Sequence, residues 1–251
     1  MFIRIHENNK NKRIAVILVN YNMNENAEKI VEKLKEVTKY PTDVIVVDNG
    51  SDKVEPSKYT SIRLAKNVQT TNGWLMGLHY ADAISINENF EYFAYLFIIT
   101  STYIDNVDYD IIEKMVFNLK NNIVGIHPAL TRDSTTAHKH LYNNNNKNLR
   151  EVKFIDNIFS LYKADWFNSI GRFNPKLTYA WGIDIETGYL ARKNGFKICI
   201  DDKINVKKIT NIGYTMDRMS ESAKERESNA RTQMYYYLKE KYGPNYFKII
   251  Y

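Results

Sequence analysis

At 251 residues and 29.5 kDa, the chain has the length of one α/β domain of the larger sort rather than two small ones, with room for a sizeable core. Hydrophobic residues at 44% and charged residues at 25% are ordinary for a globular chain and demand no disorder, while 19 Tyr make the surface unusually aromatic. The formal charge of +6 favours phosphate-bearing partners but is too small to argue for nucleic acid, and the aromatics are not interleaved with basic residues as a stacking groove requires.

The first residues, MFIRIHENNKNKR, lack the long apolar region of a signal peptide, and no run approaches the ~20 residues that span a bilayer, so the expectation is a soluble, cytoplasmic protein. Residues 14–19, IAVILV, are a continuous β-branched run, the pattern of a central strand buried on both faces. A helix follows, with Ala27, Ile30, Val31, Leu34 and Val37 at three-four spacing. Residues 44–47, VIVV, repeat the strand pattern and stop at Asp48-Asn49-Gly50-Ser51-Asp52. This is a βαβ unit with polar residues at the strands' C-terminal ends, where open α/β sheets bind ligands. The turn NYNMNEN has no glycine, which removes a dinucleotide-binding loop, and no Walker lysine loop, HExxH or GxSxG is present.

A strand is expected at residues 61–64, then a helix opening on NGWLMGLHYA, where Gly73 and Gly77 permit close approach to a ligand or to a strand. Residues 94–99, AYLFII, read as another buried strand ending in Thr100-Ser101-Thr102. Ile111, Ile112, Met115, Val116 and Leu119 mark an amphipathic helix, and residues 123–126 a strand. Residues 132–147 are polar and low in complexity, which predicts a mobile loop with His138 and His140 as a solvated pair. Residues 154–166 predict a strand and a short helix stopped at Gly171.

In residues 181–196, WGIDIETGYLARKNGF, two acids sit in the first turn of a helix, where the dipole favours negative charge. Asp184 and Glu186 lie two apart and cannot share a face, so one can point into a cleft while the other supports the backbone. Residues 197–200, with the single cysteine Cys199, and 204–206 predict closing strands. A lone cysteine forms no internal disulfide, which fits a reducing compartment. A charged helix is expected over residues 220–241, followed by an aromatic terminus. Tyr235, Tyr236 and Tyr237 cannot all be buried on one helix face, so at least one is exposed or covers a neighbour.

Four ordered pieces, VILVNYNMNENAEKIVEKL, VIVVDNGSD, NGWLMGLHYA and WGIDIETGYLARKNGF, resemble the inverting "family 2" nucleotide-sugar glycosyltransferases of GT-A fold, which include rhamnosyltransferase-like proteins. The resemblance covers residues 14–209. It implies an α/β fold in a single GT-A domain: a Rossmann-like, mostly parallel sheet flanked by helices, with residues 210–251 as a helical C-terminal extension. It further implies a nucleoside-diphosphate sugar donor and a glycan acceptor. Carried over by position, Val19, Tyr21, Asp48 and Ser51 hold the nucleotide with Gly73, Asp184 is the catalytic base, and Trp181, Gly182 and Glu186 meet substrate or steady the helix.

The chain departs from that pattern where the family carries its acidic metal motif: Thr100-Ser101-Thr102 offers hydroxyls, although divalent cations prefer carboxylates, and Asp105 lies three residues on. Where relatives place a late histidine, this chain has Lys207 and Lys208, and His79 stands at the usual Asn of the glycine segment. These departures predict that no cofactor is required, with Thr102, Lys207 and Lys208 serving the diphosphate and any Mg²⁺ or Mn²⁺ dispensable. The competing expectation is a nucleotide-sugar or glycan-binding protein that kept the fold and lost the chemistry.

Overall fold

The computed structural model describes residues 2–6, 12–145, 148–209 and 221–251. Expectations placed on residues 146–147 of the polar loop and 210–220 of the extension lie outside the described residues.

A short strand that the sequence did not signal, β1 (Ile3–Ile5), opens the chain. The run at 14–19 forms β2 (Ile14–Asn20), buried along its whole length, and it leads into α1 (Asn24–Val37), whose five expected apolar positions are all buried. β3 (Thr42–Asp48) and β4 (Thr60–Arg63) precede α2 (Gln69–Glu88). Then come β5 (Ala94–Ile99), β6 (Thr102–Tyr103), α3 (Ile111–Asn118) and β7 (Ile123–Leu130). β8 (Leu149–Val152), β9 (Phe159–Lys163), α4 (Ala164–Ser169) and α5 (Ile183–Lys193) lead to β10 (Lys197–Lys208). Two helices, α6 (Ala223–Tyr242) and α7 (Tyr246–Ile250), end the chain.

The strands form one ten-stranded sheet, ordered β1-β3-β2-β5-β9-β7-β10-β6, with β4 on β3 and β8 on β10. β2 pairs in parallel with both β3 and β5, which is why its side chains are apolar on both faces. β9 runs antiparallel between β5 and β7, and β10 then continues parallel to β7. The two closing strands expected at 197–200 and 204–206 are one strand with a register shift between Asp201 and Asn205. This irregularity bends the strand, so its second half pairs through Lys207 and Lys208 with Tyr103 and Thr102 of β6. Cys199 is buried in β10, and burial pushes its thiol up to about 11.

α2 packs on β2 and β3 through its glycines. A Cβ on Gly73 would lie 3.0 Å from Val19 Cγ1, and one on Gly77 would lie 2.4 Å from Ile17 Cγ2. Gly73, expected at the nucleotide, therefore serves helix–sheet packing, and its contact with the ligand region runs through Val19. Buried apolar side chains of the sheet and the helices form one continuous core.

Candidate active site

The C-terminal ends of β2, β3 and β5 open onto a pocket of about 410 Å³, within the usual range for small-ligand sites. It is lined by Val19, Tyr21 and Asn49, by Thr100, Ser101, Asp156 and Lys208, and by Trp181, Gly182 and Asp184. α6 and the last residue of the chain also reach it, through Arg226, Arg231, Met234 and Tyr251. The extension is thus part of the pocket wall.

The loop that carries Trp181 is held by α2. Thr71 Oγ1 donates to Leu177 O at 2.5 Å, and Thr71 N to Thr178 O at 3.1 Å. Ala180 adopts φ +66° and Gly182 φ +88°, so two near-adjacent residues occupy the left-handed region immediately before α5. For a non-glycine such as Ala180 that conformation is strained, and strain of this kind gathers where a site dictates the backbone. A side chain at Gly182 would also collide with Met234 Cγ of α6 at 2.8 Å.

Asp184, in the first turn of α5, lines the pocket. Its side chain is 10% exposed, and His138 Nε2 lies 3.8 Å from Oδ2. Burial, then the charge of Asp156, push the Asp184 carboxyl up to about 7, against opposing backbone N–H groups of Ile185, Asp184 and Gly182. For Asp156, burial acts upward, but the charges of Lys208, His138 and His127 outweigh it and hold the carboxyl below its ordinary value. Lys208 Nζ is 3.4 Å from Asp156 Oδ2. Two neighbouring carboxyls are thereby driven in opposite directions, the pattern that separates a proton acceptor near neutrality from a permanent anion. Gly188 brings them together: a Cβ there would lie 2.1 Å from Lys153 O, so only glycine lets α5 approach the segment that carries Asp156.

The other expected residues fall less uniformly. Val19, Tyr21, Trp181, Gly182 and Lys208 line the pocket. Asp48 is fully buried behind it, accepting from Ser51 N at 3.1 Å and facing Arg63 Nε at 3.4 Å, and Asn49 lines the pocket in its place. Ser51 accepts from Asn22 N at 2.9 Å and steadies the same turn. Thr102 Oγ1 is spent on Ile158 O at 3.0 Å, and Lys207 is paired with Asp133 outside the pocket. Glu186 takes the supporting one of the two roles expected for it and lies away from the pocket. It is buried and points to the C-terminal helix, accepting from Tyr242 Oη at 2.7 Å, Lys241 Nζ at 2.7 Å and Tyr237 Oη at 2.9 Å. The two-residue offset from Asp184 puts the acids on different faces, and Glu186 is the anchor of α6.

Sequence reasoning missed Asp156, Asn49, Arg226 and Arg231, and it took His138 for a solvated loop residue. The loop is instead pinned as far as it is described. Leu141 is fully buried, His140 Nε2 lies 3.0 Å from Phe154 O, and the His138 and His140 rings both pack on Phe154.

No protein-family model and no curated protein matches the sequence. Solved structures do match. GalNAc-T7 with UDP, GalNAc and Mn²⁺ superposes at TM-score 0.59 with 10% identity, over 82% of this chain and 45% of that one. The mannosyltransferase PcManGT from Pyrobaculum calidifontis, in complex with GDP-Man and Mn²⁺, superposes at 0.54 with 14% identity, over 81% and 59%. The chain thus spans about half the length of these neighbours, and at such identities the likeness establishes the fold: GT-A, as in nucleotide-sugar glycosyltransferases.

Both structures hold Mn²⁺, which overturns the expectation that no cofactor is required. That expectation treated the missing acidic motif as the loss of the only ligands, whereas Mg²⁺-like ions need one or two carboxylates when substrate phosphates complete their shell. Among the described residues no group of three or more His, Cys, Asp or Glu is arranged to hold a metal ion. The hydroxyls of Thr100 and Thr102 are engaged by Met23 Sδ and Ile158 O, and the pocket carboxylates among the described residues are Asp156 and Asp184.

Proposed function

We propose that this chain is an inverting glycosyltransferase that moves a sugar from a nucleoside-diphosphate sugar to a hydroxyl of a glycan acceptor. The observation that carries this reading is Asp184, a buried carboxyl at a helix start, facing the pocket, with its pKa moved to about 7. The acceptor oxygen attacks the anomeric carbon, its proton passes to the Asp184 carboxylate, and the bond to the nucleotide breaks with its electron pair leaving on the diphosphate. Attack from the face opposite the leaving group inverts the configuration. A base poised near neutrality suits the step, and a positioned carboxylate contributes ~10²–10⁴-fold.

In this reading Val19, Tyr21 and Asn49 receive the nucleoside, with Asp48 and Ser51 shaping the turn behind them. Lys208 meets the charge that develops on the diphosphate, since a fixed cation stabilises a leaving anion without reorganising. A divalent cation of the kind both neighbours hold would be kept by Asp156 and the diphosphate, and would supply Lewis-acid charge there. Trp181, 39% exposed, presents its ring to the acceptor sugar.

The test is turnover across a panel of nucleoside-diphosphate sugars, with Mn²⁺ present, over ~pH 5–9. Product formation rises as Asp184 ionises and levels off at higher pH, with the midpoint below about 7 to the extent that a cation on Asp156 cancels the charge facing Asp184. Donor binding without hydrolysis or transfer at any pH would mark a binding protein of the same fold instead.

A further inference from the structure

The tyrosine run and the aromatic terminus remain unused by the proposed reaction. Tyr237 is buried on Glu186, but Tyr236 is 64% exposed, Phe247 50%, Ile249 47% and Tyr235 43%. The aromatic ones are not scattered. Tyr235 packs edge-on against Tyr236 at 5.3 Å and Tyr246 at 6.2 Å, and Tyr246 against Phe247 at 6.1 Å, so the rings form one continuous strip across α6 and α7. Lys239 Nζ sits 5.3 Å from the Tyr235 ring centre, and Lys248 lies exposed between Phe247 and Ile249.

The strip is firmly mounted. Leu238 and Ile250 are buried beneath it, Arg192 Nη2 donates to Ile250 O at 2.5 Å, and the Glu186 cluster fixes Tyr237, Lys241 and Tyr242. None of Tyr235, Tyr236, Phe247 or Ile249 lines the pocket, so the strip is a surface rather than a ligand cleft. Its next residue, Tyr251, does line the pocket.

We infer that this face docks on an anionic phospholipid bilayer. Tyrosines with a polar tip and an apolar body, the fully apolar Phe247 and neighbouring lysines match the chemistry of the headgroup boundary. The chain's overall +6 charge complements acidic lipid, and each basic residue near such a surface strengthens binding about fivefold. Docked this way, the chain presents its pocket beside the membrane, to an acceptor carried on a lipid. That last consequence rests on the glycosyl-transfer reading, whereas the docking does not.

Co-flotation of the full chain with phosphatidylcholine vesicles, with and without phosphatidylglycerol, tests it without any substrate. The chain floats with the phosphatidylglycerol vesicles and is released by raised salt. Tyr236→Ser with Phe247→Ser cuts that partition at least about tenfold, since each loses the burial of an exposed apolar body. Lys239→Glu with Lys248→Glu removes the preference for acidic lipid. Unchanged circular dichroism and an unchanged thermal shift with nucleoside diphosphate show that these surface variants are folded. The inference is overturned if the wild-type chain stays with the soluble fraction, or if the variants float equally well. It is also overturned if light scattering shows a dimer that the same variants dissolve, because a second copy then covers the face.

Discussion

Replacing Asp184 by Asn makes two opposite demands on one residue, and together they isolate its role. Folding lifts the carboxyl from 3.8 to about 7. Between those values the folded chain keeps a proton that the unfolded chain has lost, so the unfolded state binds fewer protons and stability falls as pH rises. Above about 7 both states are ionised and the full penalty is present. At 1.36 kcal/mol per unit, the shift corresponds to a ceiling of about 4 kcal/mol. Asparagine never ionises and escapes the penalty, but its amide must find partners, at a cost of about 1–2 kcal/mol. The net expectation at pH 8 is a gain of about 2–3 kcal/mol, or roughly 4–10 °C in Tm for a chain of this size. Near pH 4, where the native carboxyl is already protonated, the gain vanishes.

Calorimetric or dye-monitored melting of both proteins at the two pH values, in chelator, reads this difference, while turnover of the Asn variant falls ~10²–10⁴-fold. Chelator matters because a cation on Asp156 would cancel part of the charge that faces Asp184. Tyr162, Tyr251 and His138 also face Asp184, and their coupling to its charge is lost with the carboxylate in the Asn variant. A Tm at pH 8 equal to or below wild type, or an equal gain at both pH values, would refute the claim that burial and Asp156 hold this carboxyl near neutrality. Retained turnover would remove the base assignment independently.

Glu186→Ala leaves two tyrosine hydroxyls and Lys241 without their shared acceptor, and Lys241 is 43% exposed, so the loss is a discounted ~2 kcal/mol. Urea melts should show that loss with the m-value kept, and nucleoside-diphosphate affinity by calorimetry should stay within about twofold if Glu186 touches no substrate. Gly188→Ala sets a methyl 2.1 Å from a backbone oxygen that cannot swing aside, so it costs at least ~2–3 kcal/mol despite the better helix propensity of alanine. A neutral Gly188→Ala in the same melts would mean that the two carboxyl-bearing segments are not held in close contact. Chelator should lower turnover and added Mn²⁺ restore it, as the two neighbours suggest, and Asp156→Ala should raise the Mn²⁺ concentration required about tenfold or more. An unchanged Mn²⁺ dependence in that variant would take Asp156 out of the metal's coordination.

What could be read from the sequence follows the range of the interaction. β2, α1, β3 and β5 are specified by their own apolar patterns, and their order places a ligand at the C-terminal ends of the strands before any contact is known. Asp184 was readable for the same reason, because Gly182, the acid and the helix that follows are a local unit. The strands β1, β6 and β8 are two to four residues long and were missed, since they exist only by pairing with β3 and β10 across the chain.

The pocket's remaining groups belong to that second class. Nothing near Asp156 in the sequence marks it as an acid that will face Asp184, 28 residues on; the glycine at 188 brings the two segments together, and a glycine inside a helix more often signals only a tolerated weakness. The polar loop illustrates the converse. Its composition predicts mobility, yet a single leucine, Leu141, and the two histidine rings on Phe154 suffice to pin its described part. Ordering a few residues costs about 1–2 kcal/mol each, and one buried leucine with a ring cluster is of the size needed to offset that for a short turn. The consequence is chemical. His138 lies 3.8 Å from Asp184 on a turn that Leu141, three residues further on, anchors in the core and that Arg150 ties down by donating to His140 O and Tyr142 O.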